Sequence, residues 1–155
     1  MYISKNQLVN LLKQTGIEIR GNKVNKTDLR HIFGAKYKEP EWMLLSDYHL
    51  DTPQIYLNFI EREEGKLGRA ILSATYSIAN FGEFATAKGN QGTLIGILYQ
   101  YSLKGNPRNV HYAYRLFMGS KHIAKNSGFT SLDEAKNECA HDAKNLIETQ
   151  LFDLT

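Results

Sequence analysis

Hydrophobic residues follow two different spacings along the chain, near-helical at both ends and alternating in the middle. Leu8, Leu11 and Leu12 stand at i, i+3, i+4 behind Ser4-Lys5-Asn6-Gln7. That tetrapeptide has the form of a capping box, and Gly16 is placed to close the helix. Ile17, Ile19 and Val24 about the pair Gly21-Asn22 predict a small hairpin. A second short helix, capped by Asn25 or Thr27, would bury Leu29, Ile32 and Phe33 and end at Gly34. The ribbon between these helices is too long for the turn of a helix-turn-helix motif, so an N-terminal cap packed on a sheet is the simpler expectation. At the other end, Ser131-Leu132-Asp133-Glu134 is another capping box. It opens the longest helix, with Leu132, Ala135, Cys139, Ala143, Leu146, Ile147 and Gln150 along one side and Asp133, Glu134 and Glu138 favouring its dipole.

Between these ends the period falls to two. Pro40 marks a hinge, and Trp42 to Leu45 are expected to be buried. Strands are predicted over 54–62, 70–79, 93–104 and 110–118, joined by a hairpin loop at 63–68, a glycine-containing loop at 80–90 and a turn at 105–108. On the third strand Ile95, Ile97, Tyr99 and Tyr101 oppose Leu94, Gly96, Leu98 and Gln100. On the fourth, Val110, Tyr112, Tyr114, Leu116 and Met118 oppose His111, Ala113, Arg115 and Phe117. The pattern predicts a single α+β domain over 1–155. It comprises an N-terminal helical cap (1–38), then a four-stranded antiparallel meander and a C-terminal helix on one sheet face (41–155).

Charge adds a feature that hydrophobicity does not show. Residues 91–125 hold five Lys/Arg and no acid, and residues 1–40 hold eight against three. Residues 41–90 (four against seven) and 126–155 (two against six) are acidic, so the net +3 conceals four blocks. From Phe84 to Leu132 there is no Asp or Glu at all. Strands are poor in acids anyway, but the tyrosines and cations around the turn at 105–108 make a surface suited to an anionic partner. Its members are Tyr99, Tyr101, Lys104, Arg108, His111, Tyr112, Arg115, Lys121 and Lys125. Tyrosines beside cations offer stacking next to phosphate pairing, as single-strand binders do; cross-strand tyrosine pairs also simply stabilise hairpins.

Other chemistry is sparse. The single cysteine, Cys139, rules out an internal disulfide and fits a reducing, cytoplasmic (or host-cytoplasmic) setting; its place in the helical stripe makes it core. No apolar run reaches the roughly 20 residues of a membrane span, and no secretion signal is expected from MYISKNQLVNLLKQ. There is no phosphate loop, no serine-nucleophile elbow and no cofactor motif. Glu61, Glu63 and Glu64 fall at an expected hairpin tip, where carboxylates are solvated. Asp47, His49 and Asp51 alternate and would point one way on an extended chain, the arrangement a small metal-dependent hydrolase or nucleotide-binding protein would need. No second cluster completes the ligand set.

The run Ser127-Gly128-Phe129-Thr130-Ser131-Leu132-Asp133-Glu134-Ala135-Lys136 loosely resembles the last strand-to-helix junction of double-stranded-RNA-binding domains. Those domains place lysines where this chain has Asp133 and Glu134, so the phosphate contacts of that junction do not carry over. The same run resembles small bacteriophage accessory proteins, with a strand-rich body and a helix opened by Gly-Phe-x-Ser-Leu-x-Glu-Ala-Lys. That resemblance implies a protein that acts by binding, against host nucleic-acid or defence machinery. The expectation is therefore a non-enzymatic binding protein whose basic hairpin and N-terminus engage nucleic acid or an acidic protein surface.

Overall fold

The computed structural model describes residues 19–20, 23–24, 39–47, 52–67, 70–86, 91–103 and 105–153. Short strands β1 (Ile19–Arg20) and β2 (Lys23–Val24) pair antiparallel, Ile19 opposite Val24, which is the ribbon expected around Gly21-Asn22. The two helices expected within 1–38 lie outside the described residues. The rest comprises β3 (Trp42–Leu44), a 3-10 turn (Leu45–Asp47), α1 (Thr52–Leu67), β4 (Ala70–Thr86), β5 (Gln91–Leu103), β6 (Asn106–Met118), β7 (Lys121–Phe129), α2 (Leu132–Thr149) and β8 (Leu151–Asp153). The class is α+β, and the sheet is antiparallel throughout.

Three expectations are corrected. The sheet has six strands rather than four, in the order β3-β4-β5-β6-β7, with β8 also on β4. Since β5 occupies one edge of β4, β3 (against Ser77–Ala79) and β8 (against Phe84–Thr86) lie end to end along the other. Second, the segment expected as a strand at 54–62 and a loop at 63–68 is the 16-residue helix α1. Among its described side chains Tyr56 and Ile60, four apart, are buried, with Phe59 half-buried beside them. Pro53 in the first turn is where a missing N–H costs nothing. Third, helices cover both faces of the sheet, not one.

The two faces carry separate cores. Under α2 lie Leu94, Leu98, Tyr114, Leu116, Met118 and Phe129 against Ala135, Cys139, Ala143 and Ile147. Under α1 lie Ile78, Ile95, Ile97, Tyr99, Ala113 and Phe117 against Tyr56 and Ile60. The alternation read along 93–118 therefore assigns the faces correctly. Small residues let α2 approach closely: a Cβ on Gly96 would stand 3.0 Å from Cys139 Sγ and 3.1 Å from Phe81 Cε2. The Ser131 half of the capping box forms as expected, while Glu134 reaches one residue further back than the cap's own N–H. Ser131 Oγ accepts from Glu134 N–H at 3.2 Å, and Glu134 Oε2 accepts from Thr130 N–H at 3.4 Å. Tyr114 donates to Asp142 Oδ2 at 2.8 Å, a second tie between sheet and helix.

Glycines set how far the strands run. Gly82, expected within the loop 80–90, instead sits in an irregularity of the β4–β5 ladder with φ of 106° and its N–H on Asn80 Oδ1 at 2.8 Å. The strand thus continues to Thr86, where β8 closes it. Gly119 (φ 59°) and Ser120 turn β6 into β7, and Gly119 N–H is held by Thr93 O at 3.0 Å. Among the described residues, no helix is long and apolar enough to cross a membrane.

Candidate anion-binding surface and the aromatic-cation cluster beneath α1

Strands β5, β6 and β7 are neighbours, and none of the three contains an acidic residue. The acid-free stretch is thus one side of the sheet in space as well as in sequence. Of the nine residues expected to form a contact surface, the eight that are described do not gather at one place on it. Tyr99, Tyr101, His111 and Arg115 belong to the α1 face, whereas Tyr112 packs with the α2 core and meets Tyr76 edge-on at 5.9 Å. Lys121 pairs with Met118 at the end of the sheet opposite the β5–β6 hairpin that carries Arg108. Lys104 lies outside the described residues.

Burial separates these residues further. Arg108, Lys121 and Lys125 are exposed. Tyr101 is half-buried, stacks on His111 at 5.5 Å, and its hydroxyl accepts the N–H of Gly128 at 3.0 Å. Gly128 (φ 84°) sits in an irregularity of the β6–β7 ladder, so this ring braces that irregularity. Arg115 is only 3% exposed and Tyr99 2%. Arg115 Nη2 pairs with Glu64 Oε1 at 3.0 Å, Tyr99 donates to the same oxygen at 2.9 Å, and Arg115 Nε donates to the Tyr99 hydroxyl at 3.3 Å. Burial holds the Tyr99 phenol well above its usual range, partly offset by the neighbouring Arg115 charge. These two residues bind α1 to the sheet, and their polar atoms face inward.

Around this triad is a cluster that sequence reading did not assemble. The Phe59 ring lies 5.5 Å from the Arg62 guanidinium and 5.7 Å from that of Arg115. His122 from β7 is tilted against both Phe59 (5.3 Å) and Phe117 (5.4 Å). Its Nε2 is buried with no hydrogen-bond partner among the described residues. The signal available in the sequence was helical spacing: Tyr56, Ile60 and Glu64 recur every four residues and share a helix face. Read as a strand and a loop, the segment hid it.

Burial pushes the His122 imidazole below the ordinary value of 6.5, and the Arg115 and Lys125 charges push the same way against Ala124 and Glu63. The folded protein then binds fewer protons at His122 than the unfolded chain does. This contribution to stability is fully present above 6.5 and is lost as pH falls through the folded-state value. In an NMR titration, His122 should titrate below 6.5, and His122→Phe should lose part of the acid-side decline in stability. A His122 midpoint at or above 6.5 would contradict this environment.

Among the described residues no three His, Cys, Asp or Glu side chains gather as metal ligands. Asp47 is exposed in the 3-10 turn, while His49 and Asp51 lie outside the described residues. No protein-family model, curated protein or solved structure matches the chain. The resemblance to bacteriophage accessory proteins therefore stands on the sequence pattern alone, the strand-rich body together with the helix start at 128–136.

Proposed function

We propose that this chain is a non-enzymatic binding protein whose β6–β7 side engages an anionic macromolecule, with nucleic acid as the first partner to test. The observation that supports it is the acid-free β5-β6-β7 side, whose exposed cations are Arg108, Lys121 and Lys125. Exposed cations on strands that bring no carboxylate of their own favour an anionic outside partner. Arg115 and Tyr99 take no direct part, because both side chains are buried against Glu64. The acidic face of a nucleic-acid-handling host protein presents the same charge and is the alternative partner, in keeping with the phage-type resemblance.

The test is a fluorescence titration of single- and double-stranded oligonucleotides from about 50 to 200 mM salt. Wild type should bind with log affinity falling linearly in log salt. Arg108→Ala/Lys121→Ala/Lys125→Ala should weaken binding strongly and flatten the slope by up to about 2–3 units, as fewer counterions are released. β7 is the sheet edge, and lysines on an edge strand also guard against edge-to-edge pairing. If that is their whole role, the triple variant will self-associate while its affinity per folded molecule stays unchanged. Absence of wild-type binding at about 50 mM salt removes nucleic acid as the partner.

A further inference from the structure

Tyr101 does not stand off the sheet as a strand side chain ordinarily does. It belongs to β5, yet its hydroxyl accepts the N–H of Gly128 in β7 at 3.0 Å, with β6 lying between. Neighbouring strands are about 4.8 Å apart, so the side chain must lie across β6 to reach that amide. His111, opposite on β6, backs the ring at 5.5 Å with 30° between the planes. One face of the phenol is thus turned to the sheet and the other away from it. α1 is tied to this side of the sheet at Tyr99, through Glu64, and Tyr101 lies beyond that tie. There the surface opens to water: Leu103 is 40% exposed and Gly128 is exposed, while Tyr101 and His111 are half-buried, against 2% for Tyr99.

Exposed cations stand on either side of this ring. Lys125 pairs with Arg115, four residues along β6 from His111, and Arg108 lies three residues the other way, at the β5–β6 hairpin. From Arg108 to Arg115 the strand runs roughly 23 Å, a span that a few nucleotides of extended single strand can follow. In a duplex the faces of the bases are taken up by their own stack, and only base edges are offered in the grooves. An aromatic face set between cations therefore suits unpaired bases, each of which has a π-face to lay on it. We infer that the partner is single-stranded nucleic acid, with one base stacked on the outward face of Tyr101 and flanking phosphates paired with Lys125 and Arg108. This rests on the polyanion reading above and narrows it from nucleic acid in general to unpaired strands.

The test compares three ligands by fluorescence anisotropy with the full chain at about 50 mM salt. They are a labelled mixed-sequence single strand of about 12 nucleotides, an abasic strand of the same length, and the first strand in a duplex. The abasic strand keeps the phosphates and lacks the bases. Wild type should bind the base-bearing strand about 5- to 150-fold more tightly than the abasic one, the ratio expected of one stacked base, and more tightly than the duplex. Tyr101→Leu should bring the base-bearing strand down to the abasic affinity and leave the abasic strand unchanged. Tyr101→Phe, which keeps the ring, should retain most of the preference. In amide NMR of wild type, shifts caused by the base-bearing strand and not by the abasic one should fall in 99–103, 109–113 and 126–129. If abasic strand or duplex binds as tightly as the base-bearing strand, this inference falls and the polyanion reading stands. If none of the three binds, both fall. Base-dependent shifts that map elsewhere, or a Tyr101→Leu protein with the wild-type preference, also overturn the inference, and the wild-type measurements decide it whether or not Tyr101→Leu folds.

Discussion

Arg115→Ala is expected to lower folding stability by about 3–5 kcal/mol, because removing one partner of a buried ion pair leaves the other charge uncompensated. Here the stranded groups would be Glu64, 12% exposed at its side chain, and the Tyr99 hydroxyl, whose donor would face a carboxylate now lacking its counter-charge. The cost differs from that of the cations on the open side of the sheet, where an exposed charge is worth at most about 1 kcal/mol. Urea unfolding of Arg115→Ala, Glu64→Leu and the double variant Arg115→Met/Glu64→Leu gives the decisive comparison. The double variant should recover most of the loss, since replacing both members of a buried pair by apolar groups of similar volume is often neutral. Arg115→Lys should fall between, as an ammonium can reach Glu64 but cannot also present a guanidinium Nε to Tyr99. If Arg115→Ala unfolds at the wild-type urea concentration, the triad does not hold α1 to the sheet.

That experiment also separates two roles that the sequence mixes together. Along β6, alternation places Arg115 on a face with Ala113 and Phe117, and the structure agrees. What alternation cannot supply is the identity of whatever covers that face. The cover is α1, and the segment 54–62 satisfies both periods at once. Ile55, Leu57 and Phe59 alternate as a strand would, while Tyr56 and Ile60 recur at helical spacing. Extending the window to Glu64 favours the helix, since Glu64 continues the four-residue recurrence through a polar stretch that a strand-and-loop reading must assign to a turn. With α1 absent from the reading, Arg115 seemed free to meet a phosphate and Glu64 seemed solvated.

β7 was illegible for a different reason. Lys121-His122-Ile123-Ala124-Lys125-Asn126-Ser127-Gly128-Phe129 has no sustained alternation, and the β6–β7 register shifts twice, between Tyr112 and Tyr114 and between Leu116 and Phe117. Each shift resets the period of two, and an edge strand needs only one paired side. β8 is three residues long, and its pairing with Phe84–Thr86 follows from α2 returning the chain to the end of β4. By contrast, the capping box at Ser131 and the small-residue stripe of α2 are local signals, and both were legible. The acid-free span was legible as charge, but its folding into adjoining strands required β7 to be a strand.

Replacing Ile147 with aspartate should unfold the protein outright. Ile147 is 1% exposed and sits in the core between α2 and the sheet. An ionised carboxylate there has no partner among Leu94, Leu98, Leu116 and Met118, and burying it costs several kcal/mol against a typical total of about 5–15 kcal/mol. Leu146, its neighbour in the sequence stripe, is half-buried, so Leu146→Asp can turn its carboxylate toward water and should cost clearly less. The contrast between adjacent residues tests the rotation of α2 on the sheet as well as its docking. Cys139 supplies the readout: its thiol is fully buried beside Gly96, and burial raises its pKa well above the ordinary range, so native protein should react slowly with a thiol reagent. Ile147→Asp should expose the thiol to labelling at the rate of the unfolded chain, while Leu146→Asp should keep it largely protected. Equal protection in both variants would mean that α2 is not seated on the sheet through Ala135, Cys139, Ala143 and Ile147.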